Sequence, residues 1–180
     1  MSLPLDDDGG MQWFEREFRF PFPVDVFPGI LERLRGLVPR VRSKIDGVPT
    51  AAWVERIDKK WSAQENIGHL LDLEDLWSGR VVDFLGGVET LRPADLENRR
   101  TYDAEHNARD LEETVAELEA ARNELLGTVE GLEPGEFGRT AAHPRLGQPM
   151  RLLDHLYFVA EHDDHHLARV HEILRRQGGR

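Results

Sequence analysis

The residues with the most evident chemistry lie near the C-terminal end, in Glu161-His162-Asp163-Asp164-His165-His166. On a helix, positions four apart stand one turn above the other, about 40° apart around the axis. His162 and His166 can therefore present two imidazoles to one cation. At about 100° per residue, both fall on the flank of a stripe formed by Val159, Val170 and Ile173, so they point inward. His155 shares that flank about two turns earlier, whereas His165 and His171 project elsewhere. Two imidazoles hold an ion weakly, and a third is expected from a facing helix. His69, in Gly68-His69-Leu70-Leu71, lies on the Leu73 and Leu76 side of its own segment. Three histidines with open positions let Zn²⁺ or a similar ion acidify a bound water. Imidazole ligation suits Zn, Ni, Fe or Cu. Asp72 and Asp163 are close enough in sequence to receive imidazole N–H groups.

Other readings of these residues fit less well. His162-Asp-Asp-His-His166 resembles a zincin H-E-x-x-H with Asp for Glu, but the downstream third ligand has little room. A di-iron bundle wants Glu-x-x-His, and the chain offers Asp103-x-x-His106 and Asp163-x-x-His166. There is no phosphate-binding glycine loop and no G-x-S-x-G elbow. With no cysteine in 180 residues, thiolate metal sites and cysteine nucleophiles are excluded. The 23 basic and 34 acidic residues leave a net charge of −11, which argues against nucleic acid and anionic membranes as partners. No apolar run reaches membrane-spanning length, and Met1 to Gly10, with Asp6, Asp7 and Asp8, does not read as a signal peptide. A cytoplasmic location is the expectation.

Four helical segments must position the histidines. Residues 1–12 read as a disordered leader and 13–180 as one domain. Trp13 to Pro28 is an extended connector whose aromatics, Trp13, Phe14, Phe18, Phe20 and Phe22, cover the core. A first helix follows, with Phe27, Ile30, Leu34, Val38, Val41 and Ile45 at 3–4 spacing, and Pro39 kinks or splits it. The second opens on the capping box Ser62-Ala-Gln-Glu65 and stops at Gly86-Gly87 after about 24 residues. The third runs from about Tyr102 to Leu132. Arg122 interrupts its stripe, and Glu112, Glu113, Glu117 and Glu119 form a solvated outer face. A loop with Pro134, Pro144, Gly147 and Pro149 precedes the fourth helix, from about Met150 to Arg176. The fold expected is all-α, a four-helix bundle with long connectors between helices 1–2 and 3–4.

Trp61-Ser-x-x-Glu65-x-x-x-His69-Leu70 together with His162-Asp-x-x-His166-Leu resembles the DinB/YfiT-like superfamily. His143-Pro-x-x-Gly147-x-x-x-x-Leu152-Leu-x-His155 resembles that family's approach to its last helix. The resemblance runs from about residue 20 to 176. It implies a four-helix bundle, often homodimeric, holding a divalent metal on His69, His162 and His166, with Zn or Ni leading and Fe or Mn admitted. Branches of the family include transferases that use bacillithiol, mycothiol or glutathione, a mycothiol-dependent maleylpyruvate isomerase, and metal-dependent hydrolases.

Three functions fit these residues. In a thiol-dependent S-transferase the ion lowers the pKa of a low-molecular-weight thiol co-substrate, which then attacks a small-molecule electrophile. In a hydrolase a water is activated instead, and Asp163, His165 or Glu65 is the candidate base. In a non-catalytic module the metal only stabilises a bundle that dimerises or binds a partner. A fourth protein ligand closing the site would favour the last.

Overall fold

The computed structural model describes residues 13–177. The expected disordered leader, residues 1–12, and Gly178-Gly179 lie outside the described residues. Seven α-helices and one hairpin are seen in that range: α1 (Phe27–Arg35), α2 (Leu37–Ile45), α3 (Thr50–Val54), α4 (Ala63–Gly86), α5 (Arg99–Asp103), α6 (Leu111–Glu130), β1 (Thr140–His143), β2 (Gln148–Arg151) and α7 (Leu152–Arg176). Short 3₁₀ turns stand at Trp13–Glu15, Val24–Val26, His106–Ala108 and Pro134–Gly138.

The bundle is built from α1 with α2, α4, α6 and α7. Both α4 and the α1–α2 pair pack against α6 and α7. Leu34, Leu37, Val41, Ile67, Leu70, Leu118, Val159 and Val170 are fully buried between them. Each such side chain removed from water contributes about 1.5–3 kcal/mol, and this burial is what holds the helices in register.

The expected first helix is split, and the break falls at Gly36, ahead of Pro39. Pro39 has no N–H for the carbonyl of Arg35, four residues back, and its ring crowds that carbonyl. The first helix therefore closes with Gly36 N donating to Glu32 O at 2.9 Å. The second long helix matches its capping box: Ser62 Oγ accepts from Glu65 N at 3.1 Å and Glu65 Oε2 accepts from Ser62 N at 2.9 Å. It stops at Gly87, whose φ of 71° suits glycine.

Two expectations are corrected. The third helix starts at Leu111, not near Tyr102. Asp110 Oδ1 caps it by accepting from Glu113 N at 3.0 Å, and residues 99–108 form the short helix α5 and a separate 3₁₀ turn. The all-α reading misses the β1–β2 hairpin, antiparallel with Thr140 opposite Arg151 and His143 opposite Gln148. Its four-residue strands are too short for alternation to show in sequence. The hairpin leans on the chain after α4, where Ala142 N donates to Glu89 O at 2.8 Å and Leu91 N to Ala142 O at 3.0 Å. His143, at the end of β1, meets Arg80 of α4, and Arg145, on the turn, meets Phe158 of α7. Of the connector aromatics, Trp13, Phe18, Phe20 and Phe22 pack against the core as expected, whereas Phe14 does not and is 54% exposed. Among the described residues, no helix is long and apolar enough to cross a membrane.

Candidate metal centre

His69 sits nearly two turns into α4, and His162 and His166 face it from one side of α7. Ring centroids are 4.8 Å apart for His69–His166, 5.4 Å for His69–His162 and 4.5 Å for His162–His166. One ligand atom from each lies within 4.8 Å of the other two, and all three residues are buried. The structure thus brings together the three histidines singled out in the sequence, and among the described residues no fourth ligand joins them.

The donor set fits a divalent ion. A ligating histidine must be neutral, with a free lone pair aimed at the cation. Burial, reinforced by the charge of neighbouring histidines, pushes His69 down to about 4 and His162 and His166 well below 6.5. Hydrogen bonds then set which nitrogen is free. Thr101 Oγ1 donates to Asp72 Oδ2 at 2.8 Å and so accepts from His69 Nδ1–H at 3.0 Å. Asp72 Oδ2 also accepts from His106 Nε2 at 2.8 Å. Burial opposes ionisation of Asp72, but the His106 and Thr101 bonds hold its pKa below the usual carboxylate range. Asn66 Nδ2 donates to Ser62 O at 2.8 Å, which turns Asn66 Oδ1 toward His166 Nδ1–H at 2.9 Å. Nε2 of His69 and Nε2 of His166 are left for a cation. His162 has no such partner. Its Nδ1 is buried without a hydrogen bond, and its ring is fixed by edge contacts with Trp13 at 5.0 Å and Trp77 at 5.4 Å. Trp61 covers the other side, 4.8 Å from His69.

Two supporting residues had no such role in the sequence: His106 stood out only in Asp103-x-x-His106, and Thr101 not at all. His106 lies in the non-periodic stretch taken for the start of the third helix, and Thr101 just before it. A signal was present in Gly68, a glycine inside a long helix. A Cβ there would stand 2.2 Å from the His106 ring, so only glycine lets His106 reach Asp72.

The other candidates part ways. Asp163 does not face the histidines. It is fully buried, and Arg122 Nη1 donates to its Oδ2 at 2.6 Å while Arg122 Nη2 donates to Glu74 Oε1 at 2.5 Å. Its carboxylate is committed to that pair, so it neither supports an imidazole nor serves as a base. Glu65 is likewise committed, to the cap of α4 and to Arg56, whose Nε donates to Oε2 at 2.9 Å. His155, expected as a neighbour of the site, is buried in the core, where its Nε2 donates to Trp77 O at 3.2 Å. His165, expected to project elsewhere, packs 5.7 Å from Trp13 and 5.1 Å from His166 and lines the cavity described next.

A cavity of about 690 Å³ opens on the triad. That is the size of a typical small-molecule site. Trp13, Trp61, Trp77 and Phe158 wall it, and Lys59, Arg80, Arg145 and Arg169 are among its polar lining. Its carboxylates are engaged elsewhere: Asp95 accepts from the amides of Glu97 and Arg99 at 3.0 and 2.7 Å, and Glu172 pairs with Arg175 at 2.8 Å.

Comparison with known proteins agrees with this architecture. No curated protein matches the chain by sequence. Among solved structures, YfiT from Bacillus subtilis superposes with a TM-score of 0.80 at 19% identity, covering 92% of this chain and 95% of that one. It is described as a "probable metal-dependent hydrolase with an unusual four-helix bundle topology". A mycothiol-dependent maleylpyruvate isomerase follows at TM-score 0.65 and 14% identity, covering 86% of this chain and 67% of that one. A protein from Streptococcus pneumoniae gives 0.61 at 12% identity, covering 87% and 91%. At these identities the likeness is one of fold. The sequence model of the DinB superfamily matches residues 31–170, most of the chain and all three histidines, and the chain belongs to that superfamily.

Proposed function

We propose that this protein is a divalent-metal-dependent enzyme acting on small molecules, and that its reaction is an S-transfer from a low-molecular-weight thiol. The observation that carries the reading is the convergence of three buried, neutral imidazoles on a cavity of about 690 Å³. A divalent ion held by His69, His162 and His166 would act as a Lewis acid that lowers the pKa of a thiol or water presented to it. The chain's own groups do the rest. Thr101, Asp72 and His106 hold the His69 ring, Asn66 holds His166, and Trp13, Trp61 and Trp77 exclude bulk water from the three rings.

Support for a thiol over water comes from the lack of a free carboxylate base. Asp163 and Glu65 are committed to arginines, and the cavity's own carboxylates are committed to backbone amides and to Arg175. A thiol is acidic enough to ionise beside a cation without a carboxylate to take its proton. His165 is the remaining titratable candidate at the triad. The chain has no cysteine, so the thiol is a second substrate. The hydrolase reading is favoured by one finding, the likeness in fold to YfiT. A screen of the metal-loaded protein separates them. Monochlorobimane is offered with glutathione, bacillithiol or mycothiol, alongside a panel of esters and amides. Thiol-dependent turnover is expected, ester or amide hydrolysis alone would replace the transferase with the hydrolase, and no turnover would leave a metal-stabilised binding module.

A further inference from the structure

Beside the histidine triad the cavity holds a second cluster of a different character. Arg80 is only 1% exposed, yet among the described residues neither it nor Arg145 has a carboxylate within ion-pair distance. Asp83, the acid that most affects Arg80, is held by Arg92 through bonds of 2.7 and 2.9 Å. Arg80 instead donates to Arg92 O at 3.1 Å and faces His143 Nε2 at 3.1 Å. Burial without an anion pushes the Arg80 guanidinium down to about 10. Arg145 Nη2 is buried with no hydrogen-bond partner.

His143 sharpens the point. Its Nδ1 faces the amides of Arg145 and Leu146 at 3.3 and 3.2 Å, while its Nε2 faces Arg80. A neutral imidazole accepts at one nitrogen only. In either tautomer, a ring N–H meets another donor. With Nδ1 accepting from the two amides, Nε2–H faces Arg80, and three donor groups converge on one wall of the cavity with no carboxylate to receive them, a costly arrangement inside a protein. One aromatic layer separates them from the triad. The Arg145 guanidinium lies 5.7 Å from Phe158 and that of Arg80 5.8 Å from Trp77, whose ring is in turn 5.4 Å from His162.

We propose that Arg80, His143 and Arg145 form an anion subsite that takes a carboxylate of the small-molecule substrate. The carboxylate accepts from both guanidiniums and from His143 Nε2–H, its apolar body lies along Phe158 and Trp77, and its reacting end reaches the histidines. The substrate class is therefore a small organic acid with an apolar or aromatic body. The role in turnover rests on the metal-dependent reading above, but binding of the carboxylate does not.

Benzoate and its uncharged counterpart benzamide, titrated into the purified protein and followed through the Trp13 and Trp77 indole NMR signals, test this. Benzoate is expected to bind at least about tenfold tighter than benzamide. In Arg145→Gln, a change on the half-buried hairpin turn, that preference should vanish, while Arg139→Gln, outside the cavity, should keep it. Thermal unfolding monitors both variants. Equal binding of the two probes, or an unchanged preference in Arg145→Gln, overturns the subsite. Repeating the titration after chelation separates the two readings. Benzoate binding that survives supports the subsite whatever the fate of the metal centre, and binding that disappears with the metal, in protein that remains folded, assigns the anion to the ion and overturns it.

Discussion

His69 is held through a relay that ends on a residue 37 positions away, from Thr101 to Asp72 to His106. Thr101 is the hinge of that relay, because its hydroxyl accepts from His69 only while it donates to Asp72. Thr101→Val keeps the shape and removes the acceptor, leaving the His69 N–H buried and unpaired. Metal affinity should fall by about 10–100-fold, read by competition with a chromophoric chelator, and Thr101→Ser should restore it. An unchanged affinity in Thr101→Val would separate His69 from the relay. The three histidines themselves were legible in the sequence because i, i+4 spacing and helical phase put His162 and His166 on one face. Thr101 and His106 were not, because they reach the site from turns that carry no period. Asp163 misled for the opposite reason: it is next to His162 in sequence, but one residue along a helix is about 100° around it, toward Arg122.

At the scale of elements, the two helices that carry the histidines were the most legible. The Ser62–Glu65 box and Gly87 give α4 chemical ends. The start of α6 and the hairpin were not, since the first depends on one Asp cap and the second on four-residue strands. Arg122 explains the break in the stripe of α6. It is 1% exposed and ties α6 to Glu74 of α4 and Asp163 of α7. Burial lifts the pKa of Asp163 and Glu74, while Arg122, flanked by two acids, stays firmly charged. Arg122→Met leaves two acids buried together, and should cost about 3–5 kcal/mol in urea unfolding. A loss under about 1 kcal/mol would mean the three helices do not depend on this pair.

Across the whole molecule, a chain of net charge −11 carries a cavity with a mainly basic lining, a contrast that composition alone conceals. Buried histidines also set the response to acid. His155, beyond the triad, is pushed down to about 3 by burial, with Arg80 adding to it. The unfolded chain takes up a proton at this residue below about 6.5 and the folded chain does not, so stability present at neutral pH is lost as pH falls through that value. At pH 5 the cost is about 2 kcal/mol for His155. Urea midpoints should therefore drop between pH 7 and 5, and His155→Gln should flatten the slope. The central claim, that His69, His162 and His166 hold one divalent ion, is tested most directly by metal content. Elemental analysis of purified protein should find about one ion per chain. His162→Ala should lose most of it and the His69→Ala, His162→Ala double variant all of it, and full occupancy in a folded double variant would contradict the account.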